Sequence, residues 1–151
     1  MSFSTIKLYF CTAMAFLGSL ISRLFGGWTE DMVTLVIFMA IDFVMGLVVA
    51  GVFHNSTKSK TGALNSRAGW MGLCKKVVML TFVLVAYRMD ILLETSYIKT
   101  TVIIGFIANE GISIIENAGL MGLPLPDVVK KAVDILKDKE SELNEYNTKK
   151  L

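Results

Sequence analysis

Residues 32–53 read MVTLVIFMAIDFVMGLVVAGVF, a run in which Asp42 is the sole charged side chain. A helix needs about 20 apolar residues to cross the ~30 Å hydrocarbon layer of a bilayer, so this stretch predicts a transmembrane helix. The whole chain agrees: of 151 residues, 54% are hydrophobic and 19% charged, a balance on the membrane side of the usual composition boundary. The expected fold is all-α and integral to a membrane.

Upstream, residues 8–25 form another apolar stretch, along which Ala15, Gly18, Ser19 and Ser22 recur at helical spacing. They make one face of small residues, which lets helices approach closely. The stretch is longer than a signal-peptide core, ends near Arg23 and is followed by Gly26-Gly27-Trp28, so it reads as a retained span. Downstream, residues 54–76 carry Lys58, Lys60, Arg67, Lys75 and Lys76 with no acidic residue. The positive-inside rule makes this loop cytoplasmic, where it would meet anionic lipid; topology and lipid account for its charge without nucleic acid.

A third apolar segment covers residues 77–93, with Arg88 and Asp90 towards its far end, and a fourth covers about 100–118. Four spans place Lys7 and the basic loop inside, and Glu30, Asp31, Asp90 and Glu94 outside, with both termini cytoplasmic. Arg23 and Arg88 approach the outer side against the rule, and three spans is the competing count. Residues 1–121 are thus expected to be a transmembrane domain and 122–151 a cytoplasmic amphipathic helix and tail. Pro126 and Asp127 suit the first turn of that helix, and Val129, Val133, Leu136 and Leu143 give it an apolar stripe.

Little here predicts an enzyme. His54 is the single histidine and stands at a span end, and there is no nucleophile motif, phosphate loop or cysteine pair at metal spacing. No catalytic, cofactor or metal site is expected; Cys11 and Cys74, within apolar stretches, read as small buried hydrophobes.

The polar residues inside the spans carry more information, because an ionised carboxylate at the bilayer centre costs at least about 2.5 kcal/mol and must face protein or water. Asp42 shares a helix face with Gly46 and Ala50, which points it into a close helix contact. Either it pairs with a neighbouring helix, through Arg23, Arg88 or a lysine, or it serves a pore or assembly. On the fourth segment, Asn109, Glu110, Ser113, Glu116 and Asn117 form one polar stripe at spacings of three, four and seven. Such a stripe is stable when it lines water after assembly, or when it is satisfied within the monomer or at the interface. Beyond it, Gly122, Pro124 and Pro126 are hinge candidates, the prolines stopping the fourth helix and redirecting the chain.

Two blocks of this sequence resemble the small phage lysis and toxin-release holins, a group that includes the holin-like proteins encoded beside large clostridial toxins. One block is Asp42-x-x-x-Gly46, the Lys/Ser/Gly-rich loop, and Gly69, Gly72 and Lys76 ahead of the next span. The other is Glu110-x-x-Ser113-Ile114-Ile115-x-Asn117, leading into Gly122-Leu123-Pro124-Leu125-Pro126 and a charged amphipathic helix. Together they cover about residues 40–140. The resemblance implies homo-oligomeric pores in a bacterial cytoplasmic membrane that release endolysin or toxin, with no cofactor and no catalytic site. A selective small ion channel or transporter subunit, and an antiholin that regulates another pore-former, are the rival expectations.

Overall fold

The computed structural model describes residues 2–57 and 62–129, together with 131 and 135. Four long helices follow in order: α1 Phe3–Leu24, α2 Glu30–Val48 continued by a π-helical turn Val49–Phe53, α3 Ser66–Leu93 and α4 Ile98–Leu120. No strand occurs among the described residues. Three helices are long and apolar enough to cross a membrane: α1, α2 with its π turn, and α4. With its 28 residues α3 is longer still, but it carries Arg67, Lys75, Lys76, Arg88 and Asp90.

Local chemistry explains the ends. Glu30 and Asp31 in the first turn of α2 complement the helix dipole. Asn65 caps α3, its side-chain oxygen accepting from the Arg67 amide at 2.9 Å. The start of α4 is capped from another helix: Asp90, buried near the end of α3, accepts from the amides of Ile98 (3.0 Å) and Lys99 (2.8 Å) and from Thr95 Oγ1 (2.6 Å). These bonds satisfy amides that have no partner inside their own helix and fix the α3–α4 hairpin.

Both α1 and α4 stop in the same manner, with a glycine in the left-handed region just past the end. At α1, Gly27 N–H donates to Ser22 and Gly26 N–H to Arg23; at α4, Leu123 N–H donates to Ala118 and Gly122 N–H to Gly119. The end of α4 therefore belongs to Gly122, whose φ is 77°. Pro124 and Pro126 stand beyond a helix that has already ended, which corrects the expectation that they stop it. At Gly26 (φ 72°) glycine is required twice over, since a Cβ would collide with the Tyr87 ring. Residues 127–129 are helical again; Val133, Leu136 and Leu143 of the expected amphipathic stripe lie outside the described residues.

The packed unit is α2, α3 and α4. The largest interface is between α2 and α4, and α3 packs more on α4 than on α2. Met32, Leu35, Met39, Val83 and Ile103 form the buried cluster, surrounded by Phe25, Met79, Leu80 and Phe106 among others. No residue of α1 is buried. Leu8, Phe10, Phe16, Leu92 and Ile104 are among many large apolar side chains more than half exposed, a surface that suits lipid and not water. Cys11 and Cys74 are exposed, not buried as expected, because on a lipid-facing helix the outward positions are apolar too.

Candidate functional site

Asp42 sits 12 residues into α2, roughly 18 Å from its start at 1.5 Å per residue, close to the middle of the helix and its π turn. The helices α3 and α4 bring their own polar residues to the same level. Lys76 Nζ donates to Asp42 Oδ2 at 2.8 Å and to Glu110 Oε2 at 2.5 Å. The other Asp42 oxygen accepts from Ser113 Oγ at 2.5 Å and from Asn117 Nδ2 at 2.9 Å. Asn117 also reaches the Asp42 main-chain carbonyl at 3.4 Å.

All the members are withdrawn from the surface, the Lys76, Asp42 and Glu110 side chains being 12%, 9% and 4% exposed. Among the described residues no buried side-chain nitrogen or oxygen lacks a partner. That is the condition under which charged groups are tolerated at this depth, because separating one partner strands the others in a medium that cannot solvate them. The balance is unequal: two carboxylates share one ammonium, a formal charge of −1.

Sequence patterns locate most of this site. Glu110, Ser113 and Asn117 lie on the α4 face that meets α2, and Gly46 faces Asn117, a Cβ there standing in ordinary contact at 4.0 Å from its Nδ2. Asn109 is exposed and Glu116 half-buried; both border a cavity beside the network without joining the bonds given above. Of the partners open to Asp42, Arg23, Arg88 or a lysine, the structure supplies a lysine, Lys76, which the sequence's charge pattern alone does not single out. The sequence alone places Lys76 with Lys75 in a basic loop, but α3 begins at Ser66 and carries both. Its signal was present in Gly69, Gly72 and Lys76, which recur at i, i+3 and i+7 and mark one helical face. The lipid-facing charge of the loop is reduced accordingly: Lys76 is sequestered, Arg67 and Lys75 are exposed on α3, and Lys58 and Lys60 lie outside the described residues. Lys76 is the ion-pair partner that the structure gives Asp42, and His54, in the left-handed region at φ 51°, ends the π turn.

A cavity of about 490 Å³ adjoins the network. Gly46 of α2, Ala50 of the π turn that continues it, Gly69 and Gly72 of α3, and Glu116 of α4 are in its wall. Its far end is bordered by Thr57 and Asn65, both exposed. Asn55 Nδ2 donates to the Leu120 carbonyl at 3.1 Å and ties that end of α2 to the end of α4.

A helical membrane protein with an ion-pair network inside its helix bundle is the class these features define. The bacteriophage holin family matches residues 19–138, and the chain belongs to that family. It is 40% identical over 133 residues to an uncharacterized protein of Halalkalibacterium halodurans, covering 84% of this chain and 93% of the relative. An uncharacterized 14.9 kDa protein of Clostridium perfringens is 36% identical, over 82% of this chain and 89% of its own length. A probable holin of Bacillus phage phi105 is 27% identical over 70% of this chain and 73% of the relative. No solved structure matches.

Proposed function

We propose that the chain is a holin: copies accumulate in the bacterial cytoplasmic membrane, associate, and open an aqueous lesion through which endolysin or a toxin leaves the cytoplasm. The observation that carries this reading is the Asp42–Lys76–Glu110 network with Ser113 and Asn117, assembled from both of the sequence blocks that resemble holins. In the closed monomer these groups satisfy one another. A stripe of such groups on α4 becomes the wall of a water-filled space once neighbouring copies separate α4 from α2. In this scheme α3 spans with the other three helices, both termini are cytoplasmic, and Arg67 and Lys75 meet anionic lipid. The unburied α1, with Ala15, Gly18, Ser19 and Ser22 along one side, is free to pack between copies.

Co-expression with a cytoplasmic endolysin that lacks any export signal tests the proposal. Abrupt clearing of the culture is expected after induction, and only with both proteins present. Continued growth with confirmed membrane insertion would remove the holin reading. A second reading, a small selective channel, draws on the unequal charge, since two acids facing one lysine favour cations. Single-channel records separate the two, large unselective conductances being expected of the holin.

Glu110→Leu should delay or abolish clearing while leaving insertion intact. It removes the surplus carboxylate, a group costing at least about 2.5 kcal/mol at this depth, and leaves a neutral Asp42–Lys76 pair that favours the closed bundle. Unchanged lysis timing with normal accumulation would remove Glu110 from the opening step.

A further inference from the structure

The polar network divides the α2–α3–α4 bundle into two unlike halves. On one side lie Met32, Leu35, Met39, Val83 and Ile103, the buried apolar cluster, each between 0% and 5% exposed. Every one of them comes before the network residue of its own helix on α2 and α4, or after it on α3. The α2 part of the cluster, Met32 to Met39, is about 10 Å thick at 1.5 Å per residue. On the other side lies the 490 Å³ cavity, reaching from Asp42, Lys76 and Glu110 to Thr57 and Asn65.

We infer that a single copy contains a half-channel: water and small inorganic cations enter from the Thr57–Asn65 end, reach Asp42, Lys76 and Glu110, and are stopped there by the apolar cluster. The proposal rests on the geometry of one chain and stands apart from the pore reading. The cavity has room for on the order of ten waters, at about 30 Å³ each, and Asp42, Glu110, Ser113, Glu116 and Asn117 in an otherwise largely apolar wall to hold them. Among the described residues its lining carries Asp42, Glu110 and Glu116 against Lys75 and Lys76, an excess of one carboxylate that admits cations over anions. Small residues keep it open: nothing stands within 4 Å of a Cβ built at Gly69 or Gly72. The apolar cluster has the composition of a hydrophobic constriction, which blocks ions by excluding water.

Cysteine accessibility in the full-length protein tests this. In a Cys11→Ser/Cys74→Ser background, single cysteines replace Thr57 at the mouth, Gly46, Gly69 and Gly72 in the cavity wall, and Leu35 and Ile103 in the cluster. A charged, membrane-impermeant thiol reagent is applied to right-side-out and inside-out vesicles from cells that are not lysing. Gly69→Cys and Gly72→Cys should react only from the face at which Thr57→Cys reacts, at rates within about tenfold of it, because a hydrated thiol ionises normally. Gly46→Cys, beside Asp42, should follow them. Leu35→Cys and Ile103→Cys should react at least about a hundredfold more slowly from both faces, since dry burial suppresses the thiolate.

Cavity cysteines as slow as Leu35→Cys, or reactive only towards an uncharged apolar reagent, would mean that the space is closed or filled by lipid, and would overturn the half-channel. Reaction of the cavity cysteines from both faces, or ready reaction of Leu35→Cys, would overturn the barrier. Two cavity positions away from the ion pairs, Gly69 and Gly72, keep the test decisive if Gly46→Cys does not accumulate.

Discussion

Lys76→Met should be the most damaging single substitution in the bundle, costing about 3–5 kcal/mol, because it strands Asp42 and Glu110 together with no cation between them. Methionine keeps most of the lysine's unbranched length, being one heavy atom shorter, and removes the charge and its donors. The cost is thus the repulsion and lost solvation of the two carboxylates, and Ser113 and Asn117 can offset only part of it through Asp42. In cells, the expected result is low abundance or premature leakage; in mixed micelles, the detergent-unfolding midpoint should fall sharply. The triple variant Lys76→Met/Asp42→Asn/Glu110→Gln should recover most of the lost stability, since buried ion clusters replaced as a set are often tolerated. Equal stability of Lys76→Met and the parent would show that the network does not hold α3 to α2 and α4.

The readability of this molecule from its sequence differs from element to element. Apolar length alone marks α2 and α4: runs at 32–53 and 100–118 correspond to Glu30–Phe53 and Ile98–Leu120. The α3 segment reads short in the sequence because hydropathy scores Lys75 and Lys76 as an interruption, whereas the helix continues by burying Lys76 against two acids. Averaged hydropathy cannot contain that information, since the stabilising partners lie 34 residues away in sequence on either side. Helical periodicity did carry the α4 stripe, and the small residues at Gly46 and Gly72 line the cavity beside the network. It could not say that Glu110, Ser113 and Asn117 would turn towards Asp42 while Asn109 stays exposed, a distinction set by about 100° of rotation per residue and by the partner helix. The prolines misled for a related reason: Gly122 already ends α4 through backbone bonds that any sequence with glycine at that position can make.

Leu35→Asn should depolarise the membrane soon after induction, at protein levels where the parent leaves the potential intact and well before any lysis. Leu35 is fully buried, and it shares a face of α2 with Met39 and Asp42 at i, i+4 and i+7. An asparagine there has no polar partner in the apolar cluster, so its amide draws water past Met39 from the cavity side. A hydrophobic barrier holds only while it stays dry, and one wetted turn of about 5 Å removes half of the ~10 Å thickness of its α2 side. Leu35→Ala provides the contrast. It leaves a space that is apolar and therefore stays empty, and its cost should fall near the low end of the ~2–5 kcal/mol range, because lipid solvates a displaced leucine better than water does. Loosened packing without a leak in Leu35→Ala, and a leak in Leu35→Asn at equal abundance, would identify dryness rather than tightness as the property that seals the closed protein. If both variants hold the potential, the seal lies elsewhere; if both leak alike, packing is the barrier and the boundary between a wet half and a dry half has no functional weight.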